Sequence, residues 1–338
     1  MLVVTPPTIS VVLPFRNGAS TLTDAIESIR AQTFADWELL LYDDGSEDDA
    51  PAIAKDFVAR DSRIRIAGSG RVGIVAALQR ACAEARGEFI ARMDGDDISH
   101  ALRFERQLAL MRGNETVALC GCHVEAIGAE LGEGGARYYD WINSLSDAED
   151  IDREMFVECP IAHPTFFMRR AAFEAAGGYQ DHGWAEDYDL ALRLWARGAR
   201  FANAPEPLLQ WRNAATRLSL TDPRYSLERF RSLKRHYIEA YILPNMGIRR
   251  FVQWGAGEVG KRWLREWRNV RPEAVVDIHP RKISTKIHGY RVIAMDDLPP
   301  PGKVFILIAV GAPGARDEIR AWLGPRGYRE VADYRFIA

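Results

Sequence analysis

The stretch ARMDGDDIS, residues 91–99, sets three carboxylates, Asp94, Asp96 and Asp97, within four positions, directly after the apolar run that ends at Ala91. Like charges this close repel one another and gain nothing from a core, so they belong on a solvated turn or around a cation. Carboxylate oxygens are the ligands that magnesium, manganese and calcium prefer. An EF-hand loop is excluded: Asp94, Asp96 and Glu105 match its positions 1, 3 and 12, but Ile98 brings no oxygen to position 5 and Ser99 stands where position 6 needs glycine. A second acidic turn, DDGSEDD with Asp43 and Asp44, follows the apolar run WELLLY. A third acidic pair, Glu186 and Asp187, opens the segment EDYDLALRL, where Asp187, Leu190, Ala191 and Leu194 fall at i, i+3, i+4 and i+7. That spacing predicts an acid on the inward face of a helix, where a charge needs a reason; its rival reading is a pair of acids complementing a helix dipole. Cys120, Cys122 and His123 have no second ligand pair in the sequence and are expected as thiols and imidazole packed in a strand rather than as a metal site.

The elements that must carry these residues alternate. TISVVLPF (8–15) is expected as a buried strand, 20–34 as a helix with Ser20 or Thr21 as N-cap, 37–49 as a strand running into its acidic turn, and 50–60 as a helix. A short strand, RIRIAG, a helix over 73–86 and the strand EFIARM follow. Strands alternating with helices predict an α/β fold with a mostly parallel sheet, whose ligands sit at the carboxyl ends of the strands. Both acidic turns lie at such ends.

In order and spacing, ISVVLPFRNG, QTFADWELLLYDDGSEDD, ARGEFIARMDGDDIS followed by RFERQ, IAHPTFFMRRAAFEAAGGY and WAEDYDLALRLWARG resemble family 2 glycosyltransferases of the GT-A fold, over about residues 8–215. One departure is Gln79, where the family often has Asn. The resemblance implies an inverting, metal-dependent transfer from a nucleotide diphosphate sugar, expected to be a UDP-sugar, to a hydroxyl of a glycan or lipid-linked acceptor. It assigns Asp94, Asp96 and Asp97 to a manganese or magnesium ion and the donor ribose, with Asp96 or Asp97 favoured on the metal. Asp44, supported by Asp43, is the expected acceptor from uracil N3; Pro14, Phe15 and Arg16 match the base-binding edge. Arg71 is a candidate donor contact, Arg212 of the pair Trp211–Arg212 a candidate diphosphate contact, and His163 lies where the family has residues near donor sugar or acceptor. Asp187 is the implied general base, with Glu186 beside it on the acceptor.

From about 216 the pattern changes. Residues 216–247 are expected as a helical linker, with Phe230, Leu233, Tyr237 and Tyr241 on one face and Arg231, Lys234 and Arg235 elsewhere; adhesion of these cations to anionic lipid is the rival to simple packing. Residues 248–338 are expected as a small Rossmann-like domain, with Gly255, Gly257 and Gly260 in G-x-G-x-x-G spacing and Asp277 twenty residues after Gly257. A second nucleotide site and a module for packing or dimerisation are equally open there. With only one mononucleotide-binding half and no second catalytic region, a dehydrogenase is not expected.

Composition agrees with this reading. A chain of 338 residues has room for two domains, and the net charge of −3 excludes the strongly basic balance of a nucleic-acid binder. The apolar runs are too short for a membrane span, and MLVVTPPTIS lacks the basic region of a signal peptide, so a cytoplasmic protein is expected, peripheral at the inner membrane face if its acceptor is lipid-linked. Against the enzyme stands a catalytically inactive scaffold or sensor that works through its Rossmann-like domain; the intact set Asp44, Asp94, Asp96 and Asp187 favours the enzyme.

Overall fold

The computed structural model describes residues 5–214, 217–245, 247–248 and 250–338. Contacts divide the chain into two compact units: residues up to Ile151 with Pro160–Asp222, and Asp152–Cys159 with Pro223–Ala338. The segment 223–245, expected as a linker, thus groups with the second unit, as does an eight-residue stretch from the middle of the first.

In the first unit the strands are β1 (Ile9–Phe15), β2 (Trp37–Asp43), β3 (Ile64–Ser69), β4 (Phe89–Arg92), β5 (Ile98–Ser99), β6 (Val117–Gly128), β7 (Phe167–Arg169) and β8 (Arg200–Asn213). They form one sheet in the order β3-β2-β1-β4-β7-β6-β8-β5, mostly parallel, with β7 and β5 running against their neighbours. Every residue of β1 is buried, as expected where a strand is covered on both faces. The helices Leu22–Arg30, Ala50–Arg60 and Ile74–Ala83 supply the crossovers, and Ile26, Ile29 and Phe57 enter the core beneath β1 and β2. The first helix starts two residues later than expected. Thr21 holds its N-cap position, yet its hydroxyl makes no cap bond and instead donates to the carbonyl of Gly95, in the acidic turn, at 3.0 Å.

In the second unit β9 (Phe251–Trp254), β10 (Val275–Val276), β11 (Lys286–Ile287), β12 (Tyr290–Ile293), β13 (Phe305–Ile308) and β14 (Tyr334–Phe336) form a sheet in the order β11-β12-β10-β9-β13-β14, parallel except for β11. With strands on both sides of β9, this is a Rossmann-like order that runs beyond the single mononucleotide-binding half expected. The expected long helix is broken: Ser226 caps Leu227–Tyr237 by accepting from Arg229 N, and a π-helical turn, Ile238–Ile242, follows. Its basic residues are not a free face. Arg231 Nε donates to Glu266 Oε1 at 2.7 Å, Arg235 donates to the Glu266 carbonyl, and buried Lys234 donates to the carbonyls of Val157 and Ile337. No helix among the described residues is long and apolar enough to cross a membrane.

The glycine-rich turn after β9 has a packing reason. Gly255 has φ +115°, and a Cβ on Gly260 would stand 1.9 Å from the Gly255 carbonyl oxygen, so helix Glu258–Glu266 approaches its strand only without side chains there. Gly257, by contrast, has open space around its Cα. Gly260→Ala is therefore expected to destabilise the protein by about 1–3 kcal/mol in urea unfolding. Gly257→Ala should cost less than about 1 kcal/mol.

Candidate active site

β1 lies between β2 and β4, with Phe15 opposite Asp43 and Val12 opposite Arg92, so the carboxyl ends of the first four strands share one edge. Pro14 and Phe15 are buried there and Arg16 is exposed. Asp43 Oδ1 accepts from Ser46 N at 2.8 Å, closing the turn after β2. Asp44 Oδ1 accepts from Val72 N and Gly73 N at 2.6 and 2.8 Å, which ties the loop carrying exposed Arg71 to the end of β2. Gly45, at φ +75°, makes this possible: a Cβ there would meet Arg71 Cβ at 2.9 Å.

The acidic turn follows β4. Ligand atoms of Asp94, Asp96 and Asp97 all lie within 4.8 Å of one another. Each carboxylate has a different setting. Asp94 pairs with the guanidinium of Arg92. Asp97 is 1% exposed; its Oδ1 accepts from Arg212 N at 2.8 Å, and its Oδ2 has no hydrogen-bond partner among the described residues. Asp96 is half-buried, and its carbonyl accepts from Arg212 Nε at 2.7 Å, so the arginine expected on a diphosphate is held against the acidic turn. Burial, then the charge of Asp94, pushes Asp96 up to about 6, and the same causes together with Asp96 raise Asp97 well above the carboxylate range. Carboxylates crowded this way are stabilised by a cation, and an orphaned buried oxygen among them fits a divalent ion.

The helix Glu186–Ala196 is buried on most of its surface. Leu190, Ala191 and Leu194 face inward as their spacing predicts, but Asp187 sits half-buried at the margin, and the fully buried acids are Glu186 and Asp189. Glu186 Oε1 lies 3.8 Å from His163 Nδ1, and His163 Nε2 is 2.8 Å from the hydroxyl of Tyr179. Burial, with the charge of Arg92 behind it, holds the His163 imidazole well below its usual range and hence neutral. Gln79, in the place of the family's Asn, donates from Nε2 to the Tyr179 carbonyl at 2.7 Å. Enclosure of its carboxyl, then the neighbouring Glu186, pushes Asp187 up to about 7, against the opposing pull of Arg92 and the Tyr188 amide.

Two residues at this site escape a reading of the sequence. Asp189 takes Trp184 Nε1 at 3.0 Å, Arg193 Nε at 2.8 Å and His182 Nδ1 at 3.4 Å, and so pins the loop before Glu186. Arg92, at the end of an otherwise apolar strand, is 5% exposed, and its charge reaches the acidic turn, His163 and Asp187. The only signal for it is that a lone charge at a buried strand position needs a partner. The other singled-out residues lie in the second unit. There Asp277 accepts from Ala256 N, His279 N and Lys282 Nζ at 3.1, 2.8 and 2.9 Å.

A sheet of this order with an acidic turn at the end of β4 is the arrangement of the GT-A fold of glycosyltransferases. The solved structure of S. aureus TarS with UDP-GlcNAc superposes on 70% of this chain and 66% of its own, with TM-score 0.56 at 16% identity. That of the mannosyltransferase PcManGT from Pyrobaculum calidifontis with GDP-Man and Mn2+ covers 72% and 65%, with TM-score 0.50 at 15% identity. Residues 10–177 match the model of glycosyl transferase family 2. EpsE of Bacillus subtilis strain 168, which carries a provisional glycosyltransferase name, is 32% identical over 66% of this chain and 79% of its own. The amylovoran biosynthesis glycosyltransferase AmsE of Erwinia amylovora is 30% identical over 56% and 70%. The chain belongs to glycosyltransferase family 2.

A raised acid has a stability signature. Asp187 ionises at a higher pH folded than unfolded, so stability is full below the unfolded value near 4 and is lost as pH rises through about 7. Asp187→Asn is expected to melt above the wild type at pH 8 and to match it at pH 4; an equal difference at both pH values would show that ionisation of Asp187 is not the cause.

Proposed function

We propose that this glycosyltransferase moves a sugar from a nucleotide diphosphate donor, a UDP-sugar, to a hydroxyl of a glycan or lipid-linked acceptor, with inversion and with a divalent cation. The observation that carries the reading is the conjunction of three carboxylates at one strand end with a half-buried acid, Asp187, in the first turn of the helix Glu186–Ala196. Asp96 and Asp97, with Asp94 alongside, would hold manganese or magnesium, which when bound neutralises the leaving diphosphate. The half-buried Asp187 accepts the proton of the acceptor hydroxyl as its oxygen bonds to the anomeric carbon and the bond to the diphosphate breaks; one displacement inverts that centre. Glu186 keeps Asp187 proton-hungry and approaches neutral His163. Pro14, Phe15 and Arg16 form an edge for the base, with the second oxygen of Asp44 toward the uracil N3–H and Arg71 beside it. Arg212 acts on the donor through the acidic turn it braces.

TarS was solved with UDP-GlcNAc and PcManGT with GDP-Man and Mn2+, and AmsE is named for amylovoran synthesis; these support a nucleotide-sugar donor, a metal and a polysaccharide product. In this reading transfer takes place in the cytoplasm, at the membrane face if the acceptor is lipid-linked. The Gly255 loop is left out of it, because Asp277 already holds that loop and Lys282.

UDP-sugars with manganese are expected to raise the melting temperature more than GDP-sugars with manganese, and more than either partner alone. Asp187→Asn should retain that shift while turnover falls by about 10²–10⁴-fold. The wild-type kcat should rise with pH through about 7, because the base works deprotonated. Absence of any nucleotide-sugar shift, or full turnover by Asp187→Asn, would defeat the proposal.

A further inference from the structure

Among the described residues Arg92 is the one cation whose charge reaches both the acidic turn and the Glu186–Asp187 pair. It ends β4, is 5% exposed, and its main chain is fixed on both sides: its amide donates to the Phe166 carbonyl at 2.8 Å and its own carbonyl accepts from Arg103 Nη2 at 2.8 Å. Its side chain pairs with Asp94 through Nη1, while Nε has no hydrogen-bond partner among the described residues. A buried guanidinium with one carboxylate and a donor left over is a costly arrangement, and a strand end made only for stability would favour an apolar residue.

The charges around it show what it does. The acidic turn carries three carboxylates; the guanidinium of Arg92 lies on Asp94 and that of Arg212 on the Asp96 carbonyl, so Asp96 and Asp97 are the carboxylates left for a divalent cation. Asp94 is the carboxylate that Arg92 occupies, whereas Asp97 keeps a buried oxygen free. The Phe166 that takes the Arg92 amide packs against His163, which lies 3.8 Å from Glu186, and the charge of Arg92 is felt at His163 and at Asp187. The further groups facing Asp187 are Glu186, Tyr179 and the amide of Tyr188, with Asp189 on the same helix neutralised by Arg193.

We propose that Arg92 is the positioning residue of this site: it holds Asp94 in an ion pair and out of the metal's coordination sphere, and it keeps a fixed positive charge between the acidic turn and the base. The inference rests on the glycosyltransferase reading above for the role of Asp187, but its metal half does not need turnover to be tested. Without Arg92, Asp94 turns free and joins the cation, so binding tightens while the donor is held in the wrong place. Without that charge, Asp187 keeps its proton to higher pH.

The test compares Arg92→Met, which removes the charge at similar volume, with Arg92→Lys, which keeps it. Manganese affinity is measured calorimetrically on the donor-free protein, and kcat is measured against pH with a UDP-sugar. For Arg92→Met we expect about tenfold tighter manganese binding, a lower kcat, and an acid limb moved up by about one pH unit. Arg92→Lys should hold both the affinity and the limb near the wild type. A merely structural arginine would lower the melting temperature of both variants and weaken manganese binding and turnover together, and that result overturns the inference, as does an unmoved limb with unmoved affinity. If Arg92→Met does not fold, Asp94→Asn decides: manganese affinity within about threefold of wild type supports Asp94 lying outside the metal's sphere, and loss of binding refutes it. Turnover by Asp187→Asn would sink the base assignment alone and leave the manganese comparison standing.

Discussion

Strand β1 is hydrogen-bonded to β2 on one side and to β4 on the other, in parallel register, and the three leave the sheet at the same edge. Strands covered on both faces admit few charges along their length, so the polar residues of these segments collect where the chain emerges. Phe15, Asp43, Asp44 and Asp94 are neighbours for that reason. The register is locked from outside the sheet as well. Thr21 gives up its helix cap to hold the Gly95 carbonyl, and a Cβ on Gly95 would crowd the Cβ of Phe15 at 3.1 Å. A slip of one residue in β4 would turn Arg92 and the acids to the opposite face, so the site depends on this pairing more than on any contact within it.

The second constraint is charge. Asp94, Asp96 and Asp97 crowd one turn, with Arg92 on Asp94 and Arg212 aimed at main-chain oxygen, while Glu186 and Asp187 adjoin at a helix start that also feels the charge of Arg92. Acids in that position are poorly solvated by the protein and hold protons to higher pH, as Asp96, Asp97 and Asp187 do. A fold selected only for stability would not keep them. They make sense when the missing positive charge arrives with a ligand, and when one of them has to take a proton near neutral pH.

How much of this was legible in the sequence depends on what kind of signal each residue gives. β1 and β2 are continuous apolar runs ended by Asp or Arg, and their strands and carboxyl ends follow directly from that. The helix at Glu186 is harder. Tyr188, Leu190, Leu192 and Leu194 are all buried, so the helix has no single apolar face, and the i, i+3, i+4 rule chose Asp187 as inward where Glu186 and Asp189 lie deeper. Arg92 was invisible because one charge in a strand reads as noise until its partner is known. The hairpin β11–β12 was missed because its strands are short and hydrophilic; its turn, His288–Gly289, with φ +48° and +88°, is the I′ signal that was there to be used.

The glycine motif and the acidic turn separate on one criterion. Both follow a buried strand, and both have the spacing of a ligand site. In the second unit Gly255 and Gly260 are explained by the approach of helix to strand, and Asp277 has three donors on its two oxygens. Its polar groups are satisfied by the protein. At the acidic turn the same accounting leaves Asp97 Oδ2 and Arg92 Nε buried without partners among the described residues, within a cluster of three crowded carboxylates. Buried polar atoms in folded proteins are nearly always paired, so atoms left over in company are where a ligand belongs. Spacing alone cannot tell a phosphate cradle from a packing turn; the partners of the polar groups in each turn can, and they favour the acidic turn over the Gly255 loop.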